Sequence, residues 1–349
     1  MTSRYRVPIL YNMLTQIQKV TLIGGGSWAT ALAHVLSYNI PRITLLVRDP
    51  HVVNSIQSIH CNTKYFPDYT LAPSIGATTS FSEAYDGADV IIYASAMQHA
   101  RSLLEASTQY IPPHAIIVSA SKGIEEHTMY TMYDVIALCL PTHLERTCVL
   151  SGPSFAKEVL ENKFTTLVVA GKHEDTALTV QKMFSTPTFK LYRSSDIIGV
   201  ELAGAIKNVI AIATGIVDEV QQSYNARAGL IARGLAEMAR LGLALGAEQQ
   251  TFMGLAGIGD LLLTCTGELS RNRYVGTQLG KGLTMEAILH QMNNIAEGVY
   301  TCNAVHALSK KHAIYMPITE AVYNLLHGTK TIEDIYTIFS SPTHKQEYL

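Results

Sequence analysis

Apolar residues in the first half of the chain form short, continuous runs separated by polar or glycine-rich stretches. Such runs, as opposed to alternating ones, are typical of strands that are covered on both faces. Helical stretches such as residues 28–36 lie between them, and this β-α order predicts an α/β fold with a doubly wound parallel sheet. The predicted strands are residues 20–23, 43–47, 90–93, 115–118, 148–150 and 166–169.

The pattern changes near Asp196, after which helical periodicity dominates and strand signals are almost absent. One helix face is marked by apolar residues three and four positions apart, namely Ile231, Leu235, Met238, Leu241 and Leu245. We therefore predict a boundary near residue 193, with a leader at 1–18, a sheet domain at 19–192 and a helical C-terminal domain at 193–349. Disorder of the leader, and a true start at Met13, remain open at this stage.

Composition narrows the class of protein. A hydrophobic fraction of 48% with 15% charged residues indicates a well-packed globule. A net charge of −2 supplies no basic field for nucleic acid. We expect no membrane span, because no apolar run approaches the roughly 18 to 20 residues that one requires, and no secretory signal.

Cysteine and histidine usage argues against a metal site. The five cysteines are scattered, with no CxxC pair. Such a dispersed set fits a reducing compartment, where a free thiol acts as a small apolar residue. None of the 13 histidines forms an HxxxH pair, so we expect no bound metal.

The first predicted strand leads directly into a glycine-rich turn of the form G-x-G-x-x-A, made by Gly24, Gly26 and Ala29. In a dinucleotide fingerprint the first glycine makes the turn and the second lets the backbone approach the pyrophosphate. The small third residue packs the helix against the strand. The helix N-terminus then offers free N–H groups to the phosphates. Its place at the start of a β-α-β series predicts a Rossmann domain that binds a nicotinamide dinucleotide.

The end of the second strand carries signals for both cofactors. Arg48 suits the 2′-phosphate of NADP, whereas an acidic residue such as Asp49 suits the free ribose of NAD. Asp49-Pro50 can also simply begin a turn. The cofactor is therefore predicted as NAD(P)H, with the preference open.

Lys207 lies within an almost wholly apolar helical stretch, residues 201–212. Such a lysine can extend to solvent or pair with a carboxylate. It can also be a general acid/base, since desolvation lowers a lysine pKa from about 10.4 towards working pH.

Two later stretches bear on that choice. Asp260, in a glycine-rich run, can cap a helix or pair with Lys207. A close carboxylate would raise the lysine pKa against the desolvation effect, so the net value is not predicted. Residues 270–273, Ser-Arg-Asn-Arg, are either a solvated basic turn or a fork of donors for phosphate oxygens.

Several motifs in one order resemble bacterial-type NAD(P)-dependent glycerol-3-phosphate dehydrogenase. The resemblance covers roughly residues 19–328. Its motifs lie at residues 24–33, 121–125, 151–157, 225–228, 257–261, 270–273 and 297–298, together with the helix that carries Lys207.

The resemblance implies an enzyme that interconverts dihydroxyacetone phosphate and sn-glycerol 3-phosphate and supplies phospholipid synthesis. It further implies a cytoplasmic homodimer, with Lys207 as the proton-transfer residue. The implied substrate-binding residues are Lys122, Gly152, Ser154, Asp260, Ser270, Arg271 and Asn272. The implied cofactor-binding residues, beyond Gly24 and Gly26, are Ser27, Trp28, Arg48, Lys122, Ala156, Arg271, Ile295 and Glu297.

The sequence departs from the family pattern at a few positions. Ala29 replaces the usual glycine, the segment before Lys19 is longer than expected, and Ile295-Ala296 varies a stretch that is often rich in valine. Two alternatives remain at this stage. One is another β-hydroxyacid-type dehydrogenase, whose carboxylate substrate could also use Arg271, and the other is a non-catalytic dinucleotide sensor.

Overall fold

The structure, a computed structural model, describes residues 17–292 and 296–334. Eight strands form one sheet in the order β3-β2-β1-β4-β5-β6-β7-β8. This order reverses direction beside β1, as in a Rossmann sheet. The strands are β1 Lys19–Ile23, β2 Arg42–Leu46, β3 Ile75–Thr78, β4 Val90–Tyr93, β5 Ile116–Ser119, β6 Thr147–Ser151, β7 Thr165–Gly171 and β8 Phe189–Ser194.

All six predicted strands are confirmed, and two more, β3 and β8, are present that we did not predict. The sheet is parallel except where β6 pairs antiparallel with β7. The one α-helix between those strands spans five residues, Ala156–Leu160, or roughly 7 Å. It is too short to carry the chain back along a strand of about 23 Å, as a parallel crossover requires.

Helices cover both faces of the sheet, which confirms the doubly wound α/β class. Alternate strand residues point to opposite layers: Leu22 packs with α1, α2, α6 and α7, whereas Ile23 packs with α3, α4 and α5. These helices are α1 Ser27–Leu36, α2 Pro50–Ile59, α3 Phe81–Tyr85, α4 Ala100–Ser107, α5 Met132–Cys139, α6 Ala156–Leu160 and α7 Glu174–Phe184.

After β8 the described chain is helical, as predicted. The long helix α8 packs against α9, α11, α12, α14 and α15 and forms the centre of a second core. The helices are α8 Ile197–Gln221, α9 Tyr224–Ala244, α10 Gln249–Phe252, α11 Asp260–Thr266, α12 Arg271–Gly280, α13 Met285–Gln291, α14 Glu297–Lys311 and α15 Pro317–Leu326. A π-helical segment, Leu255–Gly259, precedes α11.

One statement from the sequence needs correction. Within the described residues, α8 is long and apolar enough to cross a membrane, with a mean hydropathy of 1.6, although we expected no such run. Its most apolar window is 94% buried inside the protein. A helix at the centre of a bundle is apolar all round because neighbouring helices cover every side.

Candidate active site

The glycine-rich turn lies at the carboxyl end of β1. Gly24 adopts φ +132°, and a Cβ there would lie 2.9 Å from the Ala94 carbonyl oxygen, so only glycine fits. A Cβ on Gly26 would meet nothing within 4 Å, which leaves open space beside the N-terminus of α1. Ala29 is fully buried. The turn thus has the shape and the free N–H groups that a dinucleotide pyrophosphate needs.

Two side chains hold this turn in place. Asn62 Nδ2 donates to the Gly25 carbonyl at 3.0 Å and to Thr30 Oγ1 at 2.8 Å. Trp28 Nε1 donates to the Ala120 carbonyl at 3.2 Å, which ties α1 to the loop after β5. Sequence reasoning missed Asn62, because nothing near residue 62 marks it as a neighbour of the turn.

Arg48 and Asp49, the two residues predicted to select the cofactor, follow the carboxyl end of β2. Arg48 is exposed. The Asp49 carboxylate accepts a hydrogen bond from His51 N at 3.0 Å as the N-cap of α2, and Lys64 Nζ lies 2.9 Å from its other oxygen. The observed contacts of Asp49 therefore agree with the interpretation that Asp49-Pro50 begins a turn.

Lys207 lies in the middle of α8 and is only 6% exposed. Its Nζ donates to Thr264 Oγ1 at 2.7 Å and lies 3.0 Å from Asp260 Oδ1. Burial lowers the pKa of Lys207 to about 8, while the Asp260 charge opposes the shift and Lys122 adds to it. At neutral pH this ammonium is protonated, yet it can lose its proton near the working pH of an enzyme.

Asp260 bridges two lysines from different parts of the fold. Its Oδ2 lies 2.7 Å from Lys122 Nζ, which also donates to the Gly152 carbonyl at 3.1 Å. Asp260 begins α11 directly after the π-helical segment and is 2% exposed. One carboxylate therefore holds a lysine from the sheet domain and Lys207 from α8 in fixed positions.

Residues 270–272, which we call the α12 turn, form the N-terminus of α12. Ser270 Oγ caps the helix by accepting from Arg273 N at 3.2 Å. Asn272 donates to Asn208 Oδ1 at 2.9 Å and accepts from Gly298 N at 3.0 Å. Arg271 is exposed. A helix N-terminus beside an arginine is a favourable place for an anion.

The loop after β6 supplies the other residues expected at the site. Gly152 adopts φ +142°, and a Cβ there would lie 2.9 Å from Leu167 Cα. Ser154 Oγ donates to the Gly152 carbonyl at 3.0 Å, and Ala156 is the first residue of α6. The glycine permits the sharp turn that brings Ser154 to the cavity wall.

Glu297 begins α14 and reaches the sheet domain. Its Oε1 accepts from Met97 N at 3.3 Å, whereas its buried Oε2 has no hydrogen-bond partner in the described part of the chain. Burial raises the pKa of Glu297 to about 7. A buried carboxylate oxygen without a partner, in contact with the segment that follows β4, is a group that a bound cofactor could satisfy. Ile295 lies outside the described residues.

A cavity of about 120 Å³ lies between Lys207, Asp260, Lys122 and the α12 turn. It collects every residue expected to bind substrate except Gly152, whose carbonyl bonds to Lys122. Arg48 and the glycine turn are not part of its wall. The lining residues are Lys122, Ser154, Phe155, Lys207, Asn208, Asp260, Leu263, Thr264, Leu269, Ser270, Arg271 and Asn272.

Thr264 and Asn208 belong to this site although sequence reasoning assigned them no role. Thr264 accepts from Lys207 and donates to the Asp260 carbonyl oxygen at 2.6 Å. Asn208 holds Asn272. Spacing offered a signal for Thr264, since residues four apart on α11 share one helix face.

A doubly wound sheet with a turn shaped for a dinucleotide pyrophosphate, combined with a cavity around a buried lysine of lowered pKa, is typical of a nicotinamide-dependent dehydrogenase. Comparison with known proteins narrows this class. A family model described as NAD-dependent glycerol-3-phosphate dehydrogenase N-terminus matches residues 19–177, and its C-terminus counterpart matches residues 196–337. The chain belongs to the NAD-dependent glycerol-3-phosphate dehydrogenase family.

Relatives support this assignment over nearly the whole chain. A glycerol-3-phosphate dehydrogenase of Oleidesulfovibrio alaskensis, named for NAD(P)+, is 45% identical over 94% of this chain and 100% of its own length. The protein of the same name from Trichlorobacter lovleyi is 48% identical over 89% of this chain and 94% of its own.

Comparison with solved structures supports the same family assignment. The crystal structure of glycerol-3-phosphate dehydrogenase from Coxiella burnetii superposes with a TM-score of 0.87 at 33% identity, covering 93% of this chain and 99% of that one. A D-mandelate dehydrogenase with a TM-score of 0.61 and 13% identity shares the fold alone.

Proposed function

We propose that this chain reduces dihydroxyacetone phosphate to sn-glycerol 3-phosphate with NAD(P)H and catalyses the reverse reaction. The observation that carries the proposal is Lys207. Its ammonium is buried, is held by Asp260 at 3.0 Å and lines the same cavity as the α12 turn. A site with a proton donor at one wall and an anion-binding turn at another suits a small phosphorylated carbonyl compound.

When bound, the nicotinamide supplies the hydride that reduces C2 of the substrate. Lys207 donates the proton to the carbonyl oxygen in that direction and accepts the hydroxyl proton in the other. Two of the three Lys207 donors engage Asp260 and Thr264, so the third is available to the substrate oxygen. Asp260 orients Lys207 and keeps enough positive charge on it for proton donation at neutral pH.

The remaining roles follow from position. We assign the substrate phosphate to the α12 turn, with Ser270, Arg271 and Asn272 as its donors. Lys122 and Ser154 line the same cavity, where they would meet the carbon chain and its hydroxyls, and Gly152 would act through its carbonyl bond to Lys122. Binding energy from the phosphate, which does not react, then holds C2 near Lys207.

We assign the cofactor to the edge that runs from Arg48 past the glycine turn to Glu297. Gly24, Gly26, Ser27 and Trp28 would hold the pyrophosphate, and Glu297 would contact the cofactor. This assignment adds Lys122, Ala156, Arg271 and Ile295 as cofactor contacts. Because Asp49 is engaged by His51 and Lys64 while Arg48 is exposed, we propose a preference for NADPH.

We base the proposed cellular setting on the family to which the chain belongs. We assign the enzyme to the cytoplasm, as a homodimer that supplies glycerol 3-phosphate for phospholipid synthesis. We also keep the division into a leader at 1–18, a dinucleotide-binding domain at 19–192 and a substrate domain at 193–349.

Absorbance at 340 nm tests the function directly. The purified chain is mixed with dihydroxyacetone phosphate and either NADH or NADPH. We expect rapid oxidation of the cofactor. At low cofactor concentration, we expect NADPH to be oxidised faster than NADH. A folded, cofactor-binding chain that oxidises neither cofactor would overturn the proposal. If the chain instead reduced a three-carbon keto acid and not dihydroxyacetone phosphate, the result would assign the chain to the β-hydroxyacid-type dehydrogenases.

A further inference from the structure

Asp218, near the C-terminal end of α8, lies between two arginines from different helices. Its Oδ1 is 2.5 Å from Arg227 Nε of α9, and its Oδ2 is 2.8 Å from Arg273 Nε of α12. The Asp218 side chain is 8% exposed, and the arginines are 24% and 22% exposed. We call these three residues the Asp218 bridge. Largely buried charge-assisted pairs of this kind fix geometry as well as charge.

The bridge ends on the helix turn that carries the phosphate-binding residues. Arg273 follows Asn272 directly, and its N–H donates to Ser270 Oγ, the cap of α12. Residues two apart on a helix do not share a face. Arg273 therefore ties the far side of the turn to α8, while Arg271 stays at the cavity.

The backbones of α8 and α12 are in direct contact along this line. A Cβ on Gly215 would lie 2.1 Å from the Arg273 carbonyl oxygen, and a Cβ on Gly276 would lie 1.9 Å from the Ile212 carbonyl oxygen. Glycines thus set the separation of the two helices. Apolar residues of both helices share one core, and in the described part of the chain two polar side-chain contacts also join α8 to α12, the Asp218 bridge and Asn208–Asn272.

The second arginine explains a motif that the reaction does not use. Residues 225–228, Asn-Ala-Arg-Ala, follow Tyr224 in the first turns of α9, and Arg227 bonds to Asp218 with its guanidinium 5.4 Å from the Tyr224 ring centre. None of these residues lines the cavity. Arg227 holds one carboxylate oxygen, which leaves the other oriented towards Arg273.

We propose that Asp218, held by Arg227, is a positioning residue that sets the α12 turn for the substrate phosphate. This inference rests on the proposed function of the turn. The charge of Asp218 is not what acts, because it lies about three helical turns, or roughly 16 Å, from Lys207 along α8. The Asp218 charge is also paired with the charges of Arg227 and Arg273, so little of its field reaches Lys207, whereas a displacement of the turn changes every phosphate contact.

The test compares Asp218→Asn with wild type on two substrates. For dihydroxyacetone phosphate we expect KM to rise about tenfold, with kcat and the KM for NADPH within about twofold. For dihydroxyacetone, which lacks the phosphate, kcat/KM stays unchanged. Inhibition by inorganic phosphate weakens by the same factor as KM. Arg227→Ala shows the same pattern with a smaller change, and Arg227→Lys recovers most of it.

Glu237→Gln is the matched control within the helical domain. Glu237 is buried on α9 and accepts from Thr319 N at 3.1 Å, away from α12. Its loss lowers Tm without raising the KM for dihydroxyacetone phosphate. The inference is overturned if Asp218→Asn lowers Tm but leaves that KM unchanged, or if it impairs both substrates equally.

Failure of the proposed function gives a different result. Wild-type protein would then not reduce dihydroxyacetone phosphate at all. Inorganic phosphate, titrated by calorimetry into wild type and Asp218→Asn, still tests the bridge in that case. We expect weaker phosphate binding in the variant. Equal phosphate binding by the two proteins would contradict the proposed positioning role of Asp218.

Discussion

The two ends of the active site are built in different ways. At the dinucleotide end the fit comes from the backbone, since Gly24 is held by φ +132° and Gly26 leaves open space at a helix N-terminus. At the chemical end the fit comes from side chains of distant segments, where Lys122, Lys207 and Asp260 meet within 3.0 Å contacts. A backbone site is sensitive to any added Cβ. A side-chain site is sensitive to the loss of one charge.

The largest effect should follow from Lys207→Ala, which removes the proton donor at the chemical end. We expect kcat to fall by about 10³-fold, while NADPH binding is almost unchanged because the glycine turn is intact. Trp28 is the only tryptophan, so quenching of its fluorescence reports cofactor binding. Near-normal turnover of this variant would remove Lys207 from the mechanism.

Gly26→Ala should show the reverse pattern at the dinucleotide end. A methyl group there meets no protein atom, so Tm should hold, yet it fills the space for the pyrophosphate. We expect the Kd for NADPH to rise by about 10- to 100-fold. Gly229→Ala on α9 is the matched control, because its Cβ also meets nothing within 4 Å. Unchanged NADPH binding by Gly26→Ala would show that the turn is not the pyrophosphate site.

Arg271→Ala sharpens the comparison within the chemical end. Loss of a charge-assisted contact to phosphate costs about 2 kcal/mol, so the KM for dihydroxyacetone phosphate should rise by about 30-fold. Steady-state kinetics with phosphate-free dihydroxyacetone should show no such change. An equal loss on both substrates would place Arg271 elsewhere in the reaction.

The smallest effect is expected at the far end of the cofactor edge. Arg48→Ala should lower the ratio of kcat/KM for NADPH to that for NADH by about fivefold, because one exposed charge on the 2′-phosphate is lost. Asp49→Asn should leave the ratio nearly unchanged, since Asp49 is engaged as a helix cap. The two variants are compared in the same 340 nm assay.

The difference between a site built by one local segment and a site built by distant segments also explains which features the sequence could predict. Gly24, Gly26 and Ala29 lie within six residues, so the local pattern alone predicts both the turn and the ligand that it binds. Central strands were predicted because both of their faces are apolar. The strands β3 and β8 were missed because they lie at the sheet edges. The first is short and contains a glycine, and the second alternates buried and exposed residues.

Contacts between distant segments were beyond local patterns. Asn208 and Thr264 were given no role because hydrogen bonds to Asn272 and Lys207 form only when α8, α11 and α12 pack together. The resemblance supplied the roles of Lys122 and Glu297, which spacing alone could not. The pKa of Lys207 was left open because burial and a carboxylate act in opposite directions. The structure gives burial the larger effect.

The pH dependence of kcat/KM in both directions tests the central claim, proton transfer by Lys207. With a pKa of about 8, the ammonium is present below that pH and lost above it. Reduction of dihydroxyacetone phosphate should therefore decline as pH rises through about 8, whereas oxidation of glycerol 3-phosphate should increase over the same range. Profiles that stay flat between about pH 7 and 9.5 in both directions would contradict the account.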